Sequence, residues 1–345
     1  MATSNSLIIG DDDWMVSEVP DVPFWNETMA TVLTDPDSGM ASCFYIGRWW
    51  AEPTILRAML AFALPGDRAL FSRNYGRSPE PRLPSAAGFT MRPRPDRTID
   101  FSYDGPMDLR SQSEVSCNGL GYGPTIRAKM HFTFTPLMPI WDMFADTAAN
   151  TANPMFPAGH KEQLGQLHGI LEFEGETFEV SRGFAFLDHS RGVRNYAKHH
   201  SHILVTGRFP GGWGFCAFKS RAADGNGLNK AMIFRDGKMI PATFETDGLE
   251  QYRDDIWRSF DVRLVTGTET IEVRVDELWN SYQLGLITPA DPHWGVPLGA
   301  DNPPSTWAQE QSIKLRCGDE LGYGNLERCS RDVVLDQHWR SMFPS

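Results

Sequence analysis

The chain lacks any pairing pattern among its cysteines. The five, Cys43, Cys117, Cys216, Cys317 and Cys329, are odd in number and contain no C-x-x-C. A disulfide framework and a zinc ribbon are therefore excluded, and reduced thiols are the simplest reading. Positive charge is also in short supply. Lys+Arg number 32 against 44 Asp+Glu, a formal net charge of −12, so no overall field draws in phosphate backbones and no nucleic-acid partner is expected. Long hydrophobic runs are missing too: the best, around Ile55 to Leu64, is interrupted by Arg57 and ended by Pro65. The opening MATSNSLIIGDDDW has no basic stretch, and its apolar run is only Leu7 to Ile9. We therefore expect no membrane insertion and a cytoplasmic location. G-x-S-x-G, H-E-x-x-H and Walker loops are absent as well, which removes the common serine hydrolases, zincins and nucleoside triphosphatases and leaves no cofactor expected.

What is present favours sheets. Eleven Trp and 21 Phe accompany 31 Gly and 24 Pro, a mixture of flat bulky side chains and turn formers. Period-two alternation sets Ile271, Val273 and Val275 against Glu272, Arg274 and Asp276. Met130, Phe132 and Phe134 oppose Lys129, His131 and Thr133, and Ile313 and Leu315 oppose Lys314 and Arg316. Glu174-Gly175 and Asp236-Gly237 read as hairpin turns, where Gly supplies the positive φ that a primed turn needs. Helical periodicity is scarce: Pro139 to Ala149 and Asp276 to Gln283 are each expected to hold a few turns at most. The fold class is all-β with few short helices, in two antiparallel barrel or sandwich lobes that manage their strand edges by closure or stacking. The small, polar, Pro- and Gly-containing stretch 147–165 is the expected divide, giving lobes 1–165 and 166–345.

Chemistry concentrates in residues 183–202, GFAFLDHSRGVRNYAKHHSH. Asp188 beside His189 offers a proton donor and acceptor near neutrality, with Arg191 and Arg194 to hold an anion or carboxylate. Adjacent strand residues face opposite ways, so the two share a pocket only if the chain bulges, for which Ser190 and Gly192 leave room. The same residues fit a structural ion-pair network equally well. His199, His200 and His202 invite a metal, with positions 200 and 202 on one strand face, but no third ligand follows from the spacing and no metal is assigned. Trp49, Trp50, Trp213 and Trp294 are candidates to line an apolar cavity, or are ordinary core residues. Cys216, set among aromatics, reads as core.

Residues 168–215 resemble the AttH and carotenoid 1,2-hydratase-like group. The resemblance rests on the EFEGETFEV hairpin and on Gly183 followed by Leu187-Asp188-His189-Ser190-Arg191-Gly192 and Arg194. It also draws on Gly211, Gly212 and Trp213, and on Arg48, Trp49 and Trp50 in an early strand. Leu187 stands where the group's pattern prefers Arg, and Arg191 where it prefers Trp, departures that bear on substrate or activity. The resemblance implies two lipocalin-like barrels in tandem and cofactor-independent work on an apolar small molecule, as in hydratases of isoprenoid double bonds and pericyclases of polyketides. Fold-level likeness does not itself carry function. For such chemistry Asp188 or Glu172, raised by burial, would protonate the substrate, His189 would accept a proton, and Tyr196 or an arginine would bind a carbonyl oxygen. Aromatic walls would steady positive charge by about 2 kcal/mol per well-placed ring. The expected activity is a lyase, hydratase or isomerase/cyclase; the rivals are a lipocalin-type carrier of a hydrophobic metabolite and a scaffold for another protein. A homodimer is compatible with the acidic charge and strand edges.

Overall fold

In the computed structural model, residues 14–22, 25–49, 52–80, 82–112, 123–144, 159–193, 199–222, 225–246, 259–287 and 306–331 are described. Every described element is a strand. The first unit holds β1 (Trp25–Asp35), β2 (Met40–Trp49), β3 (Glu52–Leu64), β4 (Arg68–Gly76), β5 (Ser85–Ala86), β6 (Phe89–Pro93), β7 (Ile99–Ser111), β8 (Thr125–Pro136), β9 (Trp141–Asp142), β10 (Gly159–Phe173) and β11 (Glu176–Val193). Eight of them close a ring in the order β4-β3-β2-β1-β11-β10-β8-β7, sealed by a short seam in which Arg68 to Phe71 of β4 pair with Asp108 to Ser111 of β7. The second unit holds β12 (His199–Arg208), β13 (Gly214–Ala222), β14 (Gly227–Arg235), β15 (Lys238–Thr246), β16 (Phe260–Val265), β17 (Thr270–Ile287), β18 (Thr306–Cys317) and β19 (Glu320–Arg331). These form a closed antiparallel barrel in sequence order, β19 pairing back onto β12.

The expected two-barrel, all-β architecture is borne out, and the anticipated strands and turns are where the alternation put them. Met130, Phe132 and Phe134 are buried while Lys129 and His131 are exposed. Glu174 and Gly175 have φ of 49° and 80°, and Asp236 and Gly237 of 55° and 69°, as a primed two-residue turn requires. Two expectations are corrected. Asp276 to Gln283 is not helical but lies within β17, which pairs with β18. The described part of Pro139 to Ala149 holds the bridge β9, paired with Lys161 and Glu162 of β10, and the remainder lies outside the described residues. The lobe boundary moves as well. β10 runs through the expected divide and β11 follows it into the first sheet, so the described residues up to Val193 form one unit and those from His199 the other. The polar stretch misled because His160, Glu162 and Gln163, although polar, are buried strand residues.

Each unit has its own core. In the first, Phe44 sits 5.4 Å from Phe62, 5.6 Å from Phe101 and 5.7 Å from Phe132, so the barrel interior is filled by rings. Tilted pairs of this kind add about 0.5–1.5 kcal/mol each beyond burial. In the second, Val205, Phe215, Phe244, Val262, Val273 and Leu315 interdigitate. The far half of β3 is buried on both faces, which is why it reads as continuous rather than alternating apolar sequence; most of β1 is buried on both faces too, although it carries Asn26, Glu27 and three threonines. Among the described residues no helix is long and apolar enough to cross a membrane.

Candidate functional site

The register of β11 decides what the Asp188-His189-Ser190 motif can do. From Phe184 to Val193 it pairs without interruption with β1, and from Gly183 to Arg191 with β10. The expected bulge at Ser190 and Gly192 is absent: two continuous ladders hold the strand regular, and successive side chains must point to opposite faces. The irregularity lies instead further back on β11, where Ser181 and Arg182 stand opposite the single residue His168 of β10; the adjoining Gly169 has φ +151° and its backbone crosses close to His131. Asp188 and His189 therefore enter two separate clusters.

His189 faces the barrel interior with Met29 and Leu187, both core residues. Its Nε2 is 3.2 Å from Glu27 Oε1, and Arg48 Nε donates to Glu27 Oε2 at 3.2 Å. The Val16 backbone N–H donates to both Glu27 oxygens, at 3.2 and 3.0 Å, while Arg48 donates to the Val16 and Pro53 carbonyls. Burial pushes the Glu27 carboxyl up, but the His189 hydrogen bond and charge, the Val16 N–H and Arg48 outweigh it and hold it below its ordinary value. This cluster ties the 14–22 segment, with Met15 buried in the core, to the barrel.

Asp188 faces the other way and meets β10. Because His160 and Glu162 are two residues apart on that strand, they share a face, opposite Ser190 and Asp188 respectively. His160 Nε2 is 2.9 Å from Glu162 Oε1 and in direct hydrogen-bonding contact with Asp188 Oδ2. Ser190 Oγ donates to Asp188 Oδ1 at 3.3 Å and lies 3.0 Å from Thr28 Oγ1. Glu162 is fully buried, His160 is 4% exposed, and the Phe144 ring stacks on the imidazole at 6.0 Å. Burial and the neighbouring Asp188 charge push the Glu162 carboxyl well above its ordinary value, against the pull of His160. For His160 burial works downward, but the charges of Asp188 and Glu162 prevail and raise it to about 10. Two carboxyl groups thus face one imidazole nitrogen, and the three titrate as a coupled set.

A cavity of about 20 Å³, with room for about one water, is lined by Met29, Ile140, Lys161, Glu162, Gln163, Leu187 and His189; the register turns the Glu162 side chain to the face opposite His189, so the two clusters stay separate. The other anticipated residues fare differently. Glu172 is exposed on β10, so it is not the buried acid expected of it. Trp213 is a core residue of the second barrel, stacked on Phe209 at 4.2 Å, with its indole N–H donating to Glu320 Oε2 at 2.7 Å. Arg191 is partly buried on the same face as His189 and Glu27. Trp49 lies on β2, and nothing is described of its side chain; Arg194, Tyr196, Trp50 and Trp294 lie outside the described residues. Glu27, His160 and Glu162 were not anticipated, although the alternation in His160-Lys161-Glu162 is a legible same-face pair.

The histidine cluster is also rearranged. His199, not His200, accompanies His202, because an extra residue between His199 and Ser201 shifts the register against β13. Cys329 supplies a third ligand-type group that local spacing could not place.

The profile of a domain of unknown function (DUF7064) matches residues 11–331. The chain belongs to the DUF7064 family. No match is found among curated proteins. Among solved structures, this DUF7064 chain is similar to the NE1406 AttH protein of Nitrosomonas europaea, at 14% identity and TM-score 0.61, covering 96% of this chain and 98% of that one. It is similar also to CghA, crystallised with Sch210972, at 10% identity and TM-score 0.55, covering 90% and 89%. Kievitone hydratase from Nectria haematococca follows at 9% identity and TM-score 0.49, covering 89% of each chain. At these identities the likeness shows the fold, and that fold is the one expected from the motif around Asp188.

Proposed function

We propose that the chain is an acid–base catalyst of the hydratase, isomerase or cyclase type, acting on an apolar small molecule from the first barrel. The observation that carries this reading is Glu162, a fully buried carboxyl pushed well above its ordinary value, set beside His160 and Asp188 on the face of β10 and β11 opposite His189. A carboxylic acid that keeps its proton near neutrality can deliver it to an alkene carbon or an enone oxygen in a dry site. His160 and Asp188 stand against that acid, while His189, oriented by Glu27, lies on the opposite face of β11 and is not part of this proton path. Glu162 lies on the face of the strand turned away from the barrel interior, so the apolar molecule would meet it from outside rather than enter the ring-filled barrel. The resemblance of residues 168–215 to the AttH and carotenoid 1,2-hydratase-like group is consistent with such chemistry, which here rests on the site rather than on the fold.

The test is proton transfer from solvent. Wild-type protein is incubated in D2O with isoprenoid, prenylated aromatic and polyketide alkenes, and the products are read by mass spectrometry. Deuterium at carbon or addition of water, lost in Glu162→Gln with the fold retained, supports the reading. A ligand bound tightly and recovered unchanged and unlabelled overturns it in favour of a carrier.

A further inference from the structure

In the second barrel a bulge and a strand pairing bring together three groups that the proton chemistry above does not use. The register of β12 against β13 steps from His199 opposite Ala222 to Ser201 opposite Arg221, so His200 is the extra residue. That step carries His199 round to the face of His202, and their ring centroids are 5.1 Å apart. Across the closing seam of the barrel, Cys329 on β19 stands directly opposite His202. One ligand atom from each of His199, His202 and Cys329 lies within 4.8 Å of the others. All three are more than nine-tenths buried, at 3%, 8% and 0% exposure.

We propose that His199, His202 and Cys329 bind one divalent cation of the Zn2+ class. Two imidazoles and a thiolate suit a borderline-soft ion and not Mg2+ or Ca2+, which take oxygen ligands. Tetrahedral zinc with bonds of about 2.0–2.3 Å places ligand atoms about 3.3–3.8 Å apart. The triangle therefore closes with side-chain shifts of about 1 Å. The surroundings match what a metal-bound imidazole needs. His202 Nε2 is 2.9 Å from Glu327 Oε1, which fixes the tautomer and directs the buried Nδ1 to the ion. Charge closes as well: the Cys329 thiolate and the Glu327 carboxylate together balance a divalent cation, so the metal adds no uncompensated charge to a buried place. Binding replaces the S–H bond by a metal–sulfur bond and releases one proton to solvent, leaving three protein ligands and a fourth position for water or an added ligand.

The full-length protein, stripped with chelator under reducing conditions, is titrated with Co2+, then Zn2+, with Mg2+ as the comparison. We expect one equivalent of Co2+, tetrahedral ligand-field bands, a near-ultraviolet thiolate-to-cobalt band, displacement by Zn2+ and no response to Mg2+. Cys329→Ser removes the thiolate band, and Glu327→Gln keeps it while weakening affinity about 10–100-fold. X-ray absorption of the zinc-loaded wild type, which needs no variant to fold, should show one sulfur at about 2.3 Å together with imidazole scattering. Absence of stoichiometric Co2+ binding, a thiolate band that survives Cys329→Ser, or a zinc shell of nitrogen and oxygen alone overturns the proposal.

Discussion

Replacing Asp188 by Asn removes the charge facing His160 while keeping the shape of the side chain, and the structure sets the scale of the consequence. His160 is raised from 6.5 to about 10. At about 1.36 kcal/mol per pKa unit, the three units between pH 7 and that value correspond to about 4 kcal/mol of charge stabilisation. This is an upper figure, because Glu162 shares the imidazolium and the buried ring can shed its proton when the partner is lost. We expect Asp188→Asn to destabilise by about 2–4 kcal/mol at pH 7, at or below that ceiling. Glu162→Gln should behave differently. If Glu162 carries its proton, the amide N–H replaces the acid O–H in nearly the same volume, and the cost should stay within about 1 kcal/mol. Urea denaturation with an unchanged m-value measures both, and histidine-labelled NMR titration reads His160 directly. The reasoning is refuted if Glu162→Gln costs as much as Asp188→Asn, or if wild-type His160 titrates near 6.5.

Other consequences are as direct. Because the folded His160 value lies above its unfolded one, its contribution is complete below about pH 6.5 and is lost as pH rises toward 10. The wild-type Tm should therefore fall over that window, and Asp188→Asn should flatten the fall. Glu27 has the opposite sign: its contribution is present above 4.5 and lost on acidification below it. Glu27→Gln should cost about 3–5 kcal/mol by denaturation and expose the 14–22 segment to protease, since Arg48 loses its buried partner. Gly169→Ala, whose Cβ would lie 2.1 Å from the His131 carbonyl oxygen, should cost about 3 kcal/mol or more. Gly175→Ala, with open space at φ +80°, should cost only about 1–2 kcal/mol. Trp213→Ala should cost about 3–5 kcal/mol in stability while leaving proton chemistry in the first unit intact.

Strands exposed on one face were legible because water writes the alternation: Lys129 and His131 against Met130 and Phe132, Glu272 and Arg274 against Val273 and Val275. Strands buried on both faces are not, and the start of β10, residues 159–165, reads as part of a linker because it carries His160, Glu162 and Gln163, polar yet buried. The motif around Asp188 lies on β11, but the convergence of Asp188 with His189 requires a bulge that two flanking ladders forbid. Their actual partners, Glu27 and His160, come from β1 and β10, and only the pairing register brings them within reach. Cys329 joined the histidines for the same reason, since barrel closure sets β19 against β12.

The first barrel is sealed between β4 and β7 by pairing only from Arg68 to Phe71, whereas its other walls are zipped along most of their strands. A ring so unevenly stitched has a preferred place to come apart. Amide hydrogens along that brief join should exchange with deuterium ahead of those in β10 and β11, so slow breathing would part the wall there and leave the proton-handling strands shut.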